Sequence, residues 1–255
     1  MFGLANQTNP WVLAVGINTG LLAIAFGLPK KLLTPLGYLN AWVLGVLLWG
    51  ALGWQAFAIT MAYFAVGSAV TKVGFAQKEA AGIAEDRGGV RGPGNVWGSA
   101  LVAAVCALLV MGGKLGGGAA PWASWLILGM VASLATKLSD TSATEVGKAY
   151  GQRTFLITTL KPVPRGTEGA VSLEGTLAGI VGSILLAVFA WAIGFIAPIG
   201  IVICAIAAFI ATTLESLIGA TIEGKIPGLT HDVVNIINTL IGALVAIGLA
   251  WLMNY

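Results

Sequence analysis

Charge is what this chain has least of. Only 9% of its 255 residues are Asp, Glu, Lys or Arg, against roughly 25% in soluble domains. So few ions cannot clothe a water-soluble globule of this size. Histidine is scarcer still, with His231 standing alone. There is no His-Glu-x-x-His pattern, no cysteine cluster and no Gly-x-Ser-x-Gly elbow, which argues against zinc hydrolysis and serine catalysis. Cys106 and Cys204 both lie inside apolar runs, where they read as small hydrophobes rather than disulfide partners. A formal net charge of +3 gives no support to a nucleic-acid partner. Residues 1–10 lack the positive region of a cleavable signal.

Apolar length is abundant instead. Mean hydropathy is +0.93, and apolar runs approach the ~20 residues a spanning helix needs. The expectation is an all-α polytopic integral membrane protein, one domain over residues 1–255. About eight transmembrane helices are expected, near 11–28, 36–50, 54–71, 96–111, 122–138, 173–195, 199–219 and 233–253. The 36 glycines suit a tightly packed helical bundle.

With eight spans, the connections after the first, third, fifth and seventh share one side. Twelve of the 13 Lys and Arg side chains then fall there, and Lys114 alone falls opposite. All ten acids lie on the crowded side or at its membrane edge. The positive-inside rule assigns that side to the cytoplasm, or to the stroma of a thylakoid system. Topogenic flanking accounts for Lys30 and Lys31. It does not account for the acids, which contribute little to orientation, and ionisable groups at membrane depth are usually functional.

Three polar stretches and one helix start carry the candidate chemistry. In residues 136–151, a continuing fifth helix sets Lys137, Asp140, Thr144 and Lys148 on one face. Asp140 among hydroxyls suits Mg²⁺ or another divalent cation, which takes oxygen ligands and shares its shell with water and phosphate. Lys148 suits a phosphate. A hydrated helix end with self-paired charges has the same spacing. In residues 161–176, Thr167-Glu168-Gly169 and Leu173-Glu174-Gly175-Thr176 stand where the chain re-enters the membrane. Free N–H groups at a helix start favour phosphate, and Glu168 and Glu174 suit metal. Capping by Ser172 explains one acid comfortably and two less well. In residues 77–99, Arg87 to Gly94 form a basic glycine-rich loop, without the Gly-Lys-Ser/Thr of a Walker A motif. It reads equally as a cover over an anion or as a juxtamembrane loop. Asp232, Asn235 and Asn238 share one side of the last helix start, with His231 read as a surface or capping residue.

Together these stretches resemble the phytyl-phosphate kinases, integral-membrane prenyl phosphate kinases of cyanobacteria and chloroplasts. The residues that carry the resemblance are Gly82-Ile83-Ala84-Glu85 with Arg87-Gly88-Gly89-Val90-Arg91-Gly92, then Ala135-Thr136-Lys137-Leu138-Ser139-Asp140-Thr141 with Glu145-Val146-Gly147-Lys148-Ala149-Tyr150-Gly151, and Val163-Pro164-Arg165-Gly166-Thr167-Glu168-Gly169. The pattern is also similar, more distantly, to dolichol and phytol kinases. The resemblance implies transfer of the γ-phosphoryl group of CTP to phytyl phosphate, giving phytyl diphosphate for tocopherol-type lipids, in a plasma, thylakoid or chloroplast membrane. Read onto this chain, it points to Asp140, Lys148, Arg165 and Glu168 as catalytic. Phosphate and nucleotide would meet Arg87, Arg91, Asn95, Lys137, Thr144, Gly147, Lys161, Gly166, Thr167, Gly169, Ser172 and Asn235. The metal candidates are Asp140, Glu145, Glu168, Glu174 and Asp232.

Two other readings stand beside this one. A cytidylyltransferase on a lipid phosphate would use the same face and release pyrophosphate. A transporter would place polar groups near the bilayer midplane, in interrupted helices of repeated halves. Here they gather at one edge.

Overall fold

The computed structural model describes residues 9–115, 122–222 and 226–255, without the side chains of Asp86, Arg87 and Leu115. Lys225, counted above among the basic residues, lies outside the described set. The long helices are α1 (Pro10–Gly27), α2 (Pro35–Leu52), α3 (Trp54–Lys72), α5 (Pro93–Leu115), α6 (Ala123–Tyr150), α7 (Leu173–Ala192), α8 (Ile199–Thr221) and α9 (His231–Leu252). Each matches one expected span. The short α4 (Phe75–Ala80) and a 3-10 turn at Asp86–Gly89 fill the connection before α5. Strands β1 (Thr154–Leu156) and β2 (Ala170–Ser172) pair antiparallel after α6, a small ribbon absent from the all-helical expectation.

Helix starts follow local chemistry. Thr34 caps α2 by accepting from the Gly37 N–H at 3.0 Å, with Pro35 at the first turn. Ser172 caps α7 by accepting from the Gly175 N–H at 3.1 Å. These are the side chains expected to satisfy free N–H groups. Hydroxyls within the bundle return their protons to their own helix, as Ser133 does to the Met130 carbonyl at 2.7 Å.

Six helices, α1, α2, α5, α7, α8 and α9, are long and apolar enough to cross a membrane. The other two, α3 and α6, have spanning length but are more polar. The reason for α6 is its position. It packs against α3, α5, α7, α8 and α9, and Leu128, Met130 to Ala135 and Thr136 are fully buried. A helix sheathed by protein need not present an apolar surface to lipid. Its 28 residues make a rod of ~42 Å, some 12 Å longer than the hydrocarbon core. The fifth span was expected to end near residue 138, but the helix continues to Tyr150. That extra length carries its polar C-terminal turns to the membrane edge.

The crossing of α6 and α7 depends on small residues. A Cβ at Gly175 would stand 2.5 Å from the Ala143 carbonyl oxygen, and one at Gly179 would stand 2.9 Å from that of Ser139. The two backbones therefore run in near contact.

The polar connections meet at one end. Thr34 N–H donates to the Arg91 carbonyl and Arg91 N–H to that of Leu32, both at 3.0 Å. Lys78 pairs with Glu145, and Arg165 donates to the Ala149 carbonyl at 2.9 Å. At the other end, Tyr255 accepts from the Ala197 N–H through its hydroxyl at 2.9 Å and from Trp125 through its carbonyl at 3.2 Å. Glu79→Cys and Ala197→Cys, both at exposed sites, should react with an impermeant thiol reagent from opposite faces of sealed vesicles. Labelling of both from one face contradicts the arrangement.

Candidate active site

Five α-helix ends frame a cavity of about 860 Å³ at the polar end of the bundle. Helices α5, α7 and α9 begin there, and α6 and α8 end there. Three helix N-termini, each bearing partial positive charge, thus face a common space. That is a setting for a polyanion before any side chain is considered.

The floor is set by α6. Lys137 donates to Asp140 Oδ2 and to Asn235 Oδ1, both at 2.6 Å. Asn235 lies on α9, so the ammonium ties two helices together. Asp140 is 6% exposed, and its charge is tolerable at that depth because Lys137 stands beside it. An ammonium has three donors, which leaves Lys137 one N–H for a ligand. One and two turns further along α6, Thr144, Gly147 and Lys148 also line the cavity.

The walls come from the connections. Gly166 and Gly169 have φ of +84° and +73°, the left-handed region that side chains rarely adopt. Gly166 lies against Ile83, and Gly169 against Ala220 of α8. These contacts join the Thr167-Glu168-Gly169 turn to the loop before α5 on one side and to α8 on the other. Asp232 rests against Gly94 in the first turn of α5.

The structure brings together at this cavity Asp140, Lys148, Glu168, Asn95, Lys137, Thr144, Gly147, Gly166, Thr167, Gly169, Ser172, Asn235 and Asp232. Five candidates stand elsewhere. Glu145 faces away from the Asp140 stripe, because five residues along a helix is ~140° of rotation. It is 3% exposed and paired with Lys78 of α4, which is 1% exposed. Arg91 donates to the Tyr63 hydroxyl at 3.2 Å, its guanidinium 5.7 Å and 5.6 Å from the rings of Tyr63 and Phe64. Arg165 lines a separate outer groove and braces its loop on the last turn of α6. Lys161 is exposed outside the cavity lining, beyond Leu160 at φ +52°. Glu174 sits in the first turn of α7, where it complements the helix dipole, and is not part of the lining. The Arg87 side chain lies outside the described residues.

Sequence reasoning passed over Glu215. It lines the cavity from α8 with Thr212, Thr213 and Ser216. The available signal was four polar residues in five within an otherwise apolar span. Thr212 Oγ1 is buried without a protein partner, a free hydroxyl at the cavity wall.

The donor set tests the fit of a divalent cation. Among the described residues, no three acidic, histidine or cysteine side chains cluster tightly enough to cage a metal. The cavity instead offers separated carboxylates and hydroxyls. That suits Mg²⁺, which uses one or two carboxylates together with substrate phosphates and water.

The chain is 61% identical over 94% of its length to an uncharacterized membrane protein of Synechocystis, 91% of which is covered. It is 46% identical over 93% of its length to the chloroplastic protein VTE6 of Arabidopsis thaliana, covering 71% of that chain. An uncharacterized membrane protein of Methanocaldococcus jannaschii is 31% identical, with 83% of each chain covered. Residues 18–243 match the integral membrane protein family DUF92. The chain belongs to this family, and these relatives support the phytyl-phosphate kinase family that its motifs resemble. No solved structure is significantly similar.

If Glu145 serves Lys78 rather than a ligand, Lys78→Met alone should cost about 3–5 kcal/mol by stranding a buried carboxylate. Adding Glu145→Leu should return most of it, as read from thermal unfolding in detergent. An unchanged melting temperature in Lys78→Met shows the pair to be dispensable.

Proposed function

We infer that this protein acts in prenyl-lipid biosynthesis by phosphorylating phytyl phosphate, with CTP as the donor. The observation that carries this reading is the cavity itself. Three helix N-termini, Lys137, Lys148 and a glycine-rich turn converge on a space at the membrane edge that also holds Asp140. Phosphoryl transfer asks for little covalent chemistry from the protein. Positioning and charge neutralisation dominate, and this cavity is built from groups that do both. The 46% identity with VTE6 adds support.

In the proposed reaction, an oxygen of the lipid monophosphate attacks the γ-phosphorus of CTP. The bond from that phosphorus to the oxygen bridging it to the β-phosphorus breaks, and CDP leaves with the electron pair. The nucleophile is already an anion, so no strong general base is needed, and one histidine in the chain is no obstacle. Lys148 and the N–H groups at the start of α7 hold phosphate oxygens. Lys137, fixed by Asp140 and Asn235, presents its remaining proton to the same region. The turn from Gly166 to Gly169 lines the cavity and packs against Ile83. Asp140 would hold Mg²⁺ together with the substrate phosphates and water, Glu168 and Asp232 lining the same cavity, and the ion's charge would offset that of the phosphates when it is bound. The active face looks toward the cytoplasm or stroma, in keeping with the positive-inside rule.

Purified protein given CTP, Mg²⁺ and phytyl phosphate should yield CDP and phytyl diphosphate. Pyrophosphate and a CDP-lipid would instead mark a cytidylyltransferase.

Asp140→Asn should lower turnover by about 100-fold at saturating Mg²⁺ while the protein remains inserted and folded in detergent. Turnover equal to the parent removes Asp140 from the site. Lys148→Met should raise KM for CTP about tenfold, or ~1.4 kcal/mol of binding, with a smaller change for the lipid substrate. An equal rise for both substrates would show that Lys148 does not discriminate between them.

A further inference from the structure

A second cavity, of about 150 Å³, lies between α1, α2, α3 and α5. Its walls are nearly all apolar, with Leu22, Trp42, Phe57, Met61, Phe64 and Val96 among them. Two polar side chains in these walls turn back on their own helices. Asn18 donates to the Ala14 carbonyl and Thr60 to the Ala56 carbonyl, both at 2.9 Å. Along α3 the lining runs from Phe64 to Phe57, seven residues or ~10 Å of helix axis, from the polar end toward the bilayer interior. Helix α1 packs chiefly on α2, and Leu21 and Ile24 beside the cavity are 40% and 65% exposed. The α1 side of the cavity therefore borders lipid.

The two cavities share a lining residue. Asn95 lines both. Tyr63, on α3, lines the apolar one. Arg91, four residues before Asn95, also lines the apolar cavity, with one N–H on the Tyr63 hydroxyl, and a guanidinium has further donors with which to grip an anion.

We propose that the apolar cavity receives the first isoprene units of the lipid monophosphate, the rest of its chain passing into the bilayer beside α1. Arg91 and Asn95 at its mouth direct the phosphate toward Lys137 and Asp140. The proposal rests on the kinase reading above and adds the subsite that measures the lipid. A lipid entering from the bilayer gains nothing from hydrophobic transfer, because acyl chains are as apolar as the cavity. The cavity therefore acts through fit, and its signature is selectivity among chains rather than affinity for all of them.

Two measurements test this. Phytyl phosphate with a diazirine in its first isoprene units should crosslink, in the unaltered protein, to peptides of α1 and α3 containing Leu22 and Met61. Ala41→Phe narrows the cavity from α2. It should lower kcat/KM for phytyl phosphate about tenfold relative to a five-carbon prenyl phosphate, with KM for CTP unchanged. Normal turnover with crosslinks confined to α7 and α8, or an unchanged chain-length ratio in Ala41→Phe, overturns the chain site and leaves the kinase standing. Crosslinks in the cavity without turnover of any prenyl phosphate overturn the kinase reading and keep the lipid site.

Discussion

A lysine and an aspartate side by side near the bilayer edge cannot be left facing hydrocarbon. The Lys137–Asp140 pair therefore dictates where α6 must be: at the centre, with α3, α5, α7, α8 and α9 around it. The sheath is affordable only because its members approach closely. Gly175 and Gly179 bring α7 to the α6 backbone, which leaves no room for lipid and little for water. The helices that touch lipid can then be almost uniformly apolar, and the polar business of the protein is carried by one helix they enclose.

The same arrangement concentrates charge at one end. Alternating helices point their N-termini the same way, so α5, α7 and α9 open on a single face. Their dipoles favour anions, and the loops between them hold most of the lysines and arginines. A phosphate-rich ligand at that face meets backbone N–H groups, ammonium groups and glycine turns together. A chain with few ions can still bind a polyanion this way, because backbone N–H groups at helix starts add to the charge of its lysines and arginines.

Much of this was legible before any coordinates. Each of the eight apolar runs became a long helix, because spanning length and hydrophobicity leave the backbone few alternatives in lipid. The stripe of Lys137, Asp140, Thr144 and Lys148 was readable from helical spacing once α6 was allowed to continue. Glu145 was misjudged because sequence proximity to Asp140 says nothing of direction. Its partner Lys78 comes from α4, 67 positions away. Glu215 stands alone as an acid within the apolar run of α8, and the hydropathy of that run conceals that it faces the cavity.

By itself the sequence determined the class of protein, the number of long helices and the face on which ions gather. All three follow from local hydropathy and charge, which act residue by residue. Only the tertiary structure decided which ions face a ligand and which face each other. It turned Glu145 to Lys78, set Arg91 against Tyr63 and Phe64, and brought Glu215 to the cavity wall. Such choices depend on how helices are rotated and packed across the bundle, and packing is a relation between distant segments that no single segment encodes.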